Sequence, residues 1–253
     1  MKINVKQVLS ESVSFYKENF RNFIGISFVV FVFMAFMQAM GFTLDILTNS
    51  PLQWLLLFFL LMYGILIPAI IILPKVYLAM PILINSLLGE NKLTTKQAYH
   101  LTKGKYWLMI GCSLLVGILY VPPMVIMIYA KIPFAAVISS IYTAFITSLF
   151  YTLFPMIAIE PRTDRYLRKS INMIKGNYIE VLILTFITAT LLAVINGALR
   201  YILQGKTTEL LIVGMVYAIV CFFVYPFTST VTVIVYRQLK RSQEPFESIE
   251  EVR

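Results

Sequence analysis

Six stretches of the chain contain no Asp, Glu, Lys or Arg: Asn22–Leu44, Ile46–Pro74, Tyr106–Ala130, Ile132–Ile159, Val181–Leu199 and Leu210–Tyr236. A hydrocarbon core of about 30 Å takes roughly 20 helical residues, and these runs supply 19 to 29. Strands of outer-membrane barrels alternate apolar and polar positions over ~10 residues, and no such alternation is present. The pattern predicts an all-α, polytopic integral membrane protein with six transmembrane helices, spans 1 to 6. Span 1 exceeds the ~7–15 apolar residues of a signal-peptide core and follows 21 mostly polar residues, so it is expected to be retained.

A shorter pattern recurs just before spans 1, 3 and 5. The segments read Ser12-Val-Ser-Phe-Tyr-Lys17-Glu-Asn-Phe20, Ala98-Tyr-His-Leu-Thr-Lys103-Gly-Lys-Tyr106 and Ser170-Ile-Asn-Met-Ile-Lys175-Gly-Asn-Tyr178. Each has a small residue, a lysine five positions on, and an aromatic three further, at the mouth of a span. Such rings favour headgroup depth. Counting from those aromatics, Pro68, Pro155 and Pro226 follow at 48, 49 and 48 positions. The coincidences predict three hairpin units of about 10–75, 96–162 and 168–236, parallel and not inverted.

The segments leading into the hairpins read as short amphipathic helices. In the first, Val5, Leu9, Val13, Tyr16 and Phe20 form the apolar stripe; in the third, Leu167, Ile171, Ile174 and Tyr178 do. These faces either lie in the membrane interface or pack on the protein itself. Residues Val76 to Leu88 form an extra apolar segment, too short to span. It is either an interfacial helix or an extension of span 2 bent at Pro81. The polar stretch 241–253 reads as a cytoplasmic tail outside a single membrane domain, 1–240.

Composition agrees: 59% of the 253 residues are hydrophobic and 13% charged, against about 25% charged in soluble domains. One histidine (His100) and two cysteines (Cys112 and Cys221) leave little for a metal centre or a disulfide framework, and no cofactor is expected. Both cysteines fall inside spans and read as small apolar fillers. In a soluble chain the net charge of +9 would suggest nucleic acid. Its placement says otherwise. Of the 21 Lys and Arg, 18 fall before span 1, between spans 2 and 3, between spans 4 and 5, or after span 6. Only Lys131, Arg200 and Lys206 lie on the other side. By the positive-inside rule both termini are cytoplasmic, and no nucleic-acid partner is expected.

The basic residues Lys17, Arg21, Lys103, Lys105, Arg162, Arg165, Arg168, Lys169 and Lys175 form a candidate surface for anionic headgroups or a protein partner. Glu160 and Asp164, among Arg162 and Arg165, read as a solvated ion-pair surface, not an acid–base site. No ionisable side chain falls in the middle of a span, which argues against a proton-coupled carrier. Hydroxyl residues of span 4, chiefly Ser140, Thr143 and Thr147, either mediate helix packing or line a polar path. Pro68, Pro155 and Pro226 are candidate kinks. Metalloprotease, phosphate-loop and nucleophile-elbow motifs are missing, so no enzyme is expected.

Three quoted segments carry a family resemblance: Ile159 to Tyr178, Lys96 to Trp107, and Val233 to Leu239. They are similar to the membrane domain attached to some bacterial glycerophosphodiester phosphodiesterases, and to related stand-alone six-helix membrane proteins. The phosphodiesterase members append a soluble barrel with metal-binding carboxylates, which nothing in these residues supplies. The resemblance therefore implies a scaffold in the bacterial cell membrane that contacts lipid or a partner, not a phosphodiesterase. The alternative is a small transporter or the membrane subunit of an exporter with an ATP-binding-cassette partner.

Overall fold

The computed structural model describes residues 2–47, 52–89, 92–122, 135–161, 165–203 and 209–243. Among them the chain is helical and contains no strand. The helices are α1 (Val5–Leu47), α2 (Leu52–Leu87), α3 (Thr95–Leu101), α4 (Tyr106–Leu119), α5 (Ala135–Leu149), α6 (Leu153–Ile159), α7 (Tyr166–Ile174), α8 (Tyr178–Leu203) and α9 (Glu209–Gln243). Three segments are long and apolar enough to cross a membrane: Val5–Phe36, Ile141–Ile159 and Gly214–Gln243. A fourth joins if α7 and the start of α8 count as one bent span. Exposed apolar side chains such as Phe28 of α1, Leu114 and Ile118 of α4 and Ile183 of α8 form an outer surface suited to hydrocarbon.

The three recurring segments take matching environments. Ser12, Ala98 and Ser170 are fully buried, Lys17, Lys103 and Lys175 are exposed, and Phe20, Tyr106 and Tyr178 are half-buried. A small residue is needed at the first position because another helix lies against it. The second and third units also share a bend. Gly104 and Gly176 have φ of 84° and 95°, in the left-handed region that costs glycine nothing. There α7 and α8 meet at 101°. The first unit has Glu18 at that position, which stays right-handed. The amphipathic segment and span 1 are consequently one helix of 43 residues, about 64 Å long, rather than two.

Several expectations are corrected by packing. The buried face of α7 carries Tyr166, Ser170, Met173 and Ile174, whereas Ile171 is exposed and Leu167 only half-buried. Its apolar face thus packs on the protein, and the stripe is rotated from the one read in the sequence. On α1 the inward positions are Val8, Ser12, Phe23 and Ile26, with Val13 facing out. Residues Val76 to Leu87 take the second of their two expected forms, an extension of span 2. They continue α2 through Pro81, and Val76, Leu78, Ala79, Met80, Leu83 and Ile84 are among the most buried side chains. Against α2 pack α1, α3, α4, α6 and α9.

The prolines differ from one another. Pro226 lies inside α9. It has no N–H and crowds the carbonyl four residues back, which opens that turn. From α1, the Tyr16 hydroxyl donates to the neighbouring Phe223 carbonyl at 2.9 Å. Pro155 is not in mid-helix. Span 4 breaks at Phe150–Thr152, and Pro155 falls in the first turn of α6, where an N–H has no helical partner to lose. Pro68 falls within the α2 range. Helix α4 ends with Tyr120 as its C-cap, before Pro122, so it is 14 residues long. Met124–Ala130 and 244–253 lie outside the described residues. Both cysteines are buried and unbridged.

Substituting Gly176 by Ala should lower the unfolding free energy by about 1–2 kcal/mol through the backbone alone, since nothing lies within 4 Å of the added methyl. Gly117→Ala, equally uncrowded but in right-handed helix, should be neutral or stabilising by up to about 1 kcal/mol. Denaturant melts of the two detergent-purified variants test this; equal effects would refute the bend.

Candidate functional site

At the end of α6 a carboxylate is enclosed. Glu160 is 3% exposed, contrary to the solvated surface expected for it. The Lys169 ammonium of α7 donates to its Oε2 at 2.6 Å, and the Tyr236 hydroxyl of α9 donates to Oε1 at 2.8 Å. Lys169 and Glu160 thus form an ion pair. Arg162 and Asp164 lie outside those residues, and Arg165 is exposed. Lys105, which precedes α4, donates to the carbonyls of Ala158 and Glu160 at 2.7 and 2.8 Å. A cation there satisfies carbonyls left open at a helix C-terminus and suits its dipole. Both carboxylate oxygens are engaged by donors, which ties the end of α6 to α7 and α9.

The expected basic surface is accordingly divided. Lys17 and Arg21, four residues apart on α1, are exposed, as are Lys103, Arg165, Arg168 and Lys175. Lys105 is turned inward and belongs to the carbonyl cluster. Lys169 is 45% exposed but committed to Glu160. Burial pulls the Lys105 amine below the usual lysine value of 10.5, an effect that the nearby Glu160 partly opposes.

Beside this cluster lies an open cavity of about 780 Å³ that the sequence reading missed. Lys75, Lys96, Lys103 and His100 line it, with Tyr99, Tyr106 and Trp107, and among the described residues no carboxylate contributes. The Lys75 ammonium stands 5.9 Å from the Tyr106 ring centroid. Trp107 is 78% exposed, and its ring meets Tyr106 edge-on at 5.1 Å. The Tyr99 hydroxyl is buried without a hydrogen-bond partner, and burial raises its pKa. Aromatic residues at the mouth of span 3 were the available signal. Lys103 shares the recurring segment with Tyr106, but Lys75 comes from α2, so spacing along the chain did not reveal the whole group.

The candidate polar residues are partly brought together. Thr143 and Thr147 line a second cavity, of about 860 Å³, between α4, α5, α8 and α9. Ser139 joins them, and the side chain of Ser140 lies outside the described residues. No group of three or more His, Cys, Asp or Glu able to hold a metal occurs among the described residues. No family model, curated protein or solved structure matches the chain.

Lys169→Met should cost about 3 kcal/mol, the low end for stranding a buried charge, because the lysine itself is partly solvated. Arg168→Met, on the exposed neighbour, is the control, and equal losses in denaturant melts would remove the argument. The Lys105 shift has a definite sign. The folded protein binds fewer protons there than the unfolded chain, so its contribution to stability rises with pH as 10.5 is approached. Wild type should gain stability relative to Lys105→Met over that interval. A constant difference would contradict it.

Proposed function

We propose that this chain is a non-enzymatic multi-pass protein of the bacterial cytoplasmic membrane, an accessory scaffold whose basic face engages anionic lipid headgroups or a partner protein. The observation that carries this reading is the open cavity of Lys75, Lys96 and Lys103 beside Tyr106 and Trp107. Lysines attract acidic headgroups at about 1 kcal/mol each near a membrane surface, and amphipathic rings favour that depth. Among the described residues its lining is cationic and aromatic, which suits an acidic headgroup.

In this reading all six apolar runs are spans, arranged as three parallel hairpins with both termini cytoplasmic. The matched environments of Ser12, Ala98 and Ser170, and the paired bends at Gly104 and Gly176, support the repeat. The family resemblance of the segments around Lys103 and Lys175 points the same way. A second reading, a small transporter or an exporter's membrane subunit with an ATP-binding-cassette partner, draws on the cavity beside Thr143 and Thr147.

Two experiments test the proposal. In a background lacking both cysteines, Ser10→Cys and Lys92→Cys should react with an impermeant maleimide only after cells are opened, and Gly205→Cys from outside. The reverse pattern would overturn the topology. In nanodiscs of mixed phosphatidylglycerol and phosphatidylcholine, the protein should retain phosphatidylglycerol preferentially on extraction. Changing Lys75, Lys96 and Lys103 together to Gln should cut that preference about tenfold or more. An unchanged preference would sink the headgroup reading.

A further inference from the structure

The basic cavity of about 780 Å³ draws its cations from two helices. Lys96 and His100, four residues apart, share one face of α3, and Lys103 stands two residues beyond its end. At 1.5 Å per residue these groups are spread over roughly 10 Å. From α2 comes Lys75, 5.9 Å from the Tyr106 ring centroid. All four side chains are exposed and line the cavity, so a ligand reaches them without displacing a helix.

A lysine ammonium is a compact point charge with three donors, suited to phosphate oxygens. Among the described residues no carboxylate contributes to the lining, so the lysines repel one another until an anion enters. One phosphate touches only the groups around a single point. Cations spread over roughly 10 Å are neutralised better by two phosphates joined through a short linker.

The apolar edge of the cavity points to the source of those phosphates. Ile71 of α2 lines the cavity and is exposed, as is Ile72 beside it. Trp107 also lines it and begins a stripe along α4 that continues through Gly111, Leu114, Leu115 and Ile118, all exposed. Nothing among the described residues crowds a methyl added at Gly111, so a chain can lie against the stripe there. A soluble phosphate compound gains nothing from such a stripe. A lipid does, because its acyl chains run from the headgroup into hydrocarbon.

We propose that the cavity binds a membrane lipid with two phosphates in one headgroup, the class of cardiolipin. One phosphate sits by Lys75 and Lys103 next to Tyr106, and the other by Lys96 and His100. An acyl chain lies along α4 over Gly111. The proposal rests on the headgroup reading of this cavity and narrows it to one class of lipid.

The test uses the full chain in phosphatidylcholine nanodiscs containing cardiolipin and phosphatidylglycerol at equal phosphate. Mass spectrometry of the lipid retained on extraction should show cardiolipin enriched about fivefold or more over phosphatidylglycerol, the worth of one further lysine contact. Lys96→Gln with His100→Gln should bring cardiolipin down to the level of phosphatidylglycerol, leaving the latter within about twofold. Lys92→Gln, exposed and outside the lining, should change neither. These positions are on the surface, so the melting temperatures should match wild type. Cardiolipin with a diazirine in one acyl chain should label Leu114, Leu115 and Ile118 ahead of outward residues elsewhere, such as Ile141 and Ile183. The deacylated headgroup at the same concentration should displace it poorly. Equal retention of the two lipids, both lost when Lys75, Lys96 and Lys103 are changed together, would overturn the two-phosphate assignment and keep the headgroup reading. Retention of neither lipid over phosphatidylcholine would remove both. Labelling spread evenly over the helices, or full displacement by the deacylated headgroup, would overturn the lipid assignment.

Discussion

A carboxylate removed from water requires nearby donors and a counter-charge, and Glu160 imposes that requirement at the point where four helices meet. The ammonium of Lys169 and the hydroxyl of Tyr236 draw α7 and α9 to the end of α6. The Lys105 amine, reaching the carbonyls of Ala158 and Glu160, brings the start of α4 to the same place. Such a pair is a modest source of stability when intact, since desolvation offsets most of the attraction. Its effect is on geometry: an alternative packing of these helices strands a charge. The apolar bulk behind it is the continued α2, whose buried residues from Val76 to Ile84 supply the contacts that give the arrangement its energy.

Two glycines divide the chain into arms and spans. Where Gly104 and Gly176 take a left-handed conformation, the amphipathic segments turn away from the helices that follow, and α7 lies across the protein with Arg168 and Lys175 outward. Where Glu18 stands instead, no turn forms and α1 runs on as a single rod alongside α9. One backbone preference thus gives three similar sequences two shapes. The aromatic contacts along that rod, among them Phe20 stacked on Phe223 at 5.6 Å and Tyr16 edge-on to Phe227 at 6.0 Å, flank Pro226.

The molecule offers two surfaces of opposite character. One, lined by Lys75, Lys96 and Lys103 with Tyr106 and Trp107, is cationic and aromatic. The other is neutral and hydroxyl-lined, among apolar helices, and suits uncharged polar groups. Their separation follows from the energetics of the bilayer, which tolerates lysines only near its edge and hydroxyls throughout when each can bond to its own helix.

Much of this was legible in the sequence. The apolar helices follow from the polarity of their own residues, so composition along the chain was enough to read them. So were the small, cationic and aromatic positions of the repeating segments. Other features depended on contacts between residues far apart in sequence. A glutamate ending an apolar run looks the same whether water or Lys169 and Tyr236 surrounds it. The inward face of α7 was misread because its stripe is decided by what it packs against, and the break before Pro155 because a proline's place in a turn depends on where the helix restarts. Lys75 and Trp107, or Thr147 and Thr188, share a cavity only once their helices are packed. The sequence by itself determined which residues leave water, because that depends on each residue's own polarity. The tertiary structure decided which of them meet, because burial of a polar group is settled by the neighbours that satisfy it.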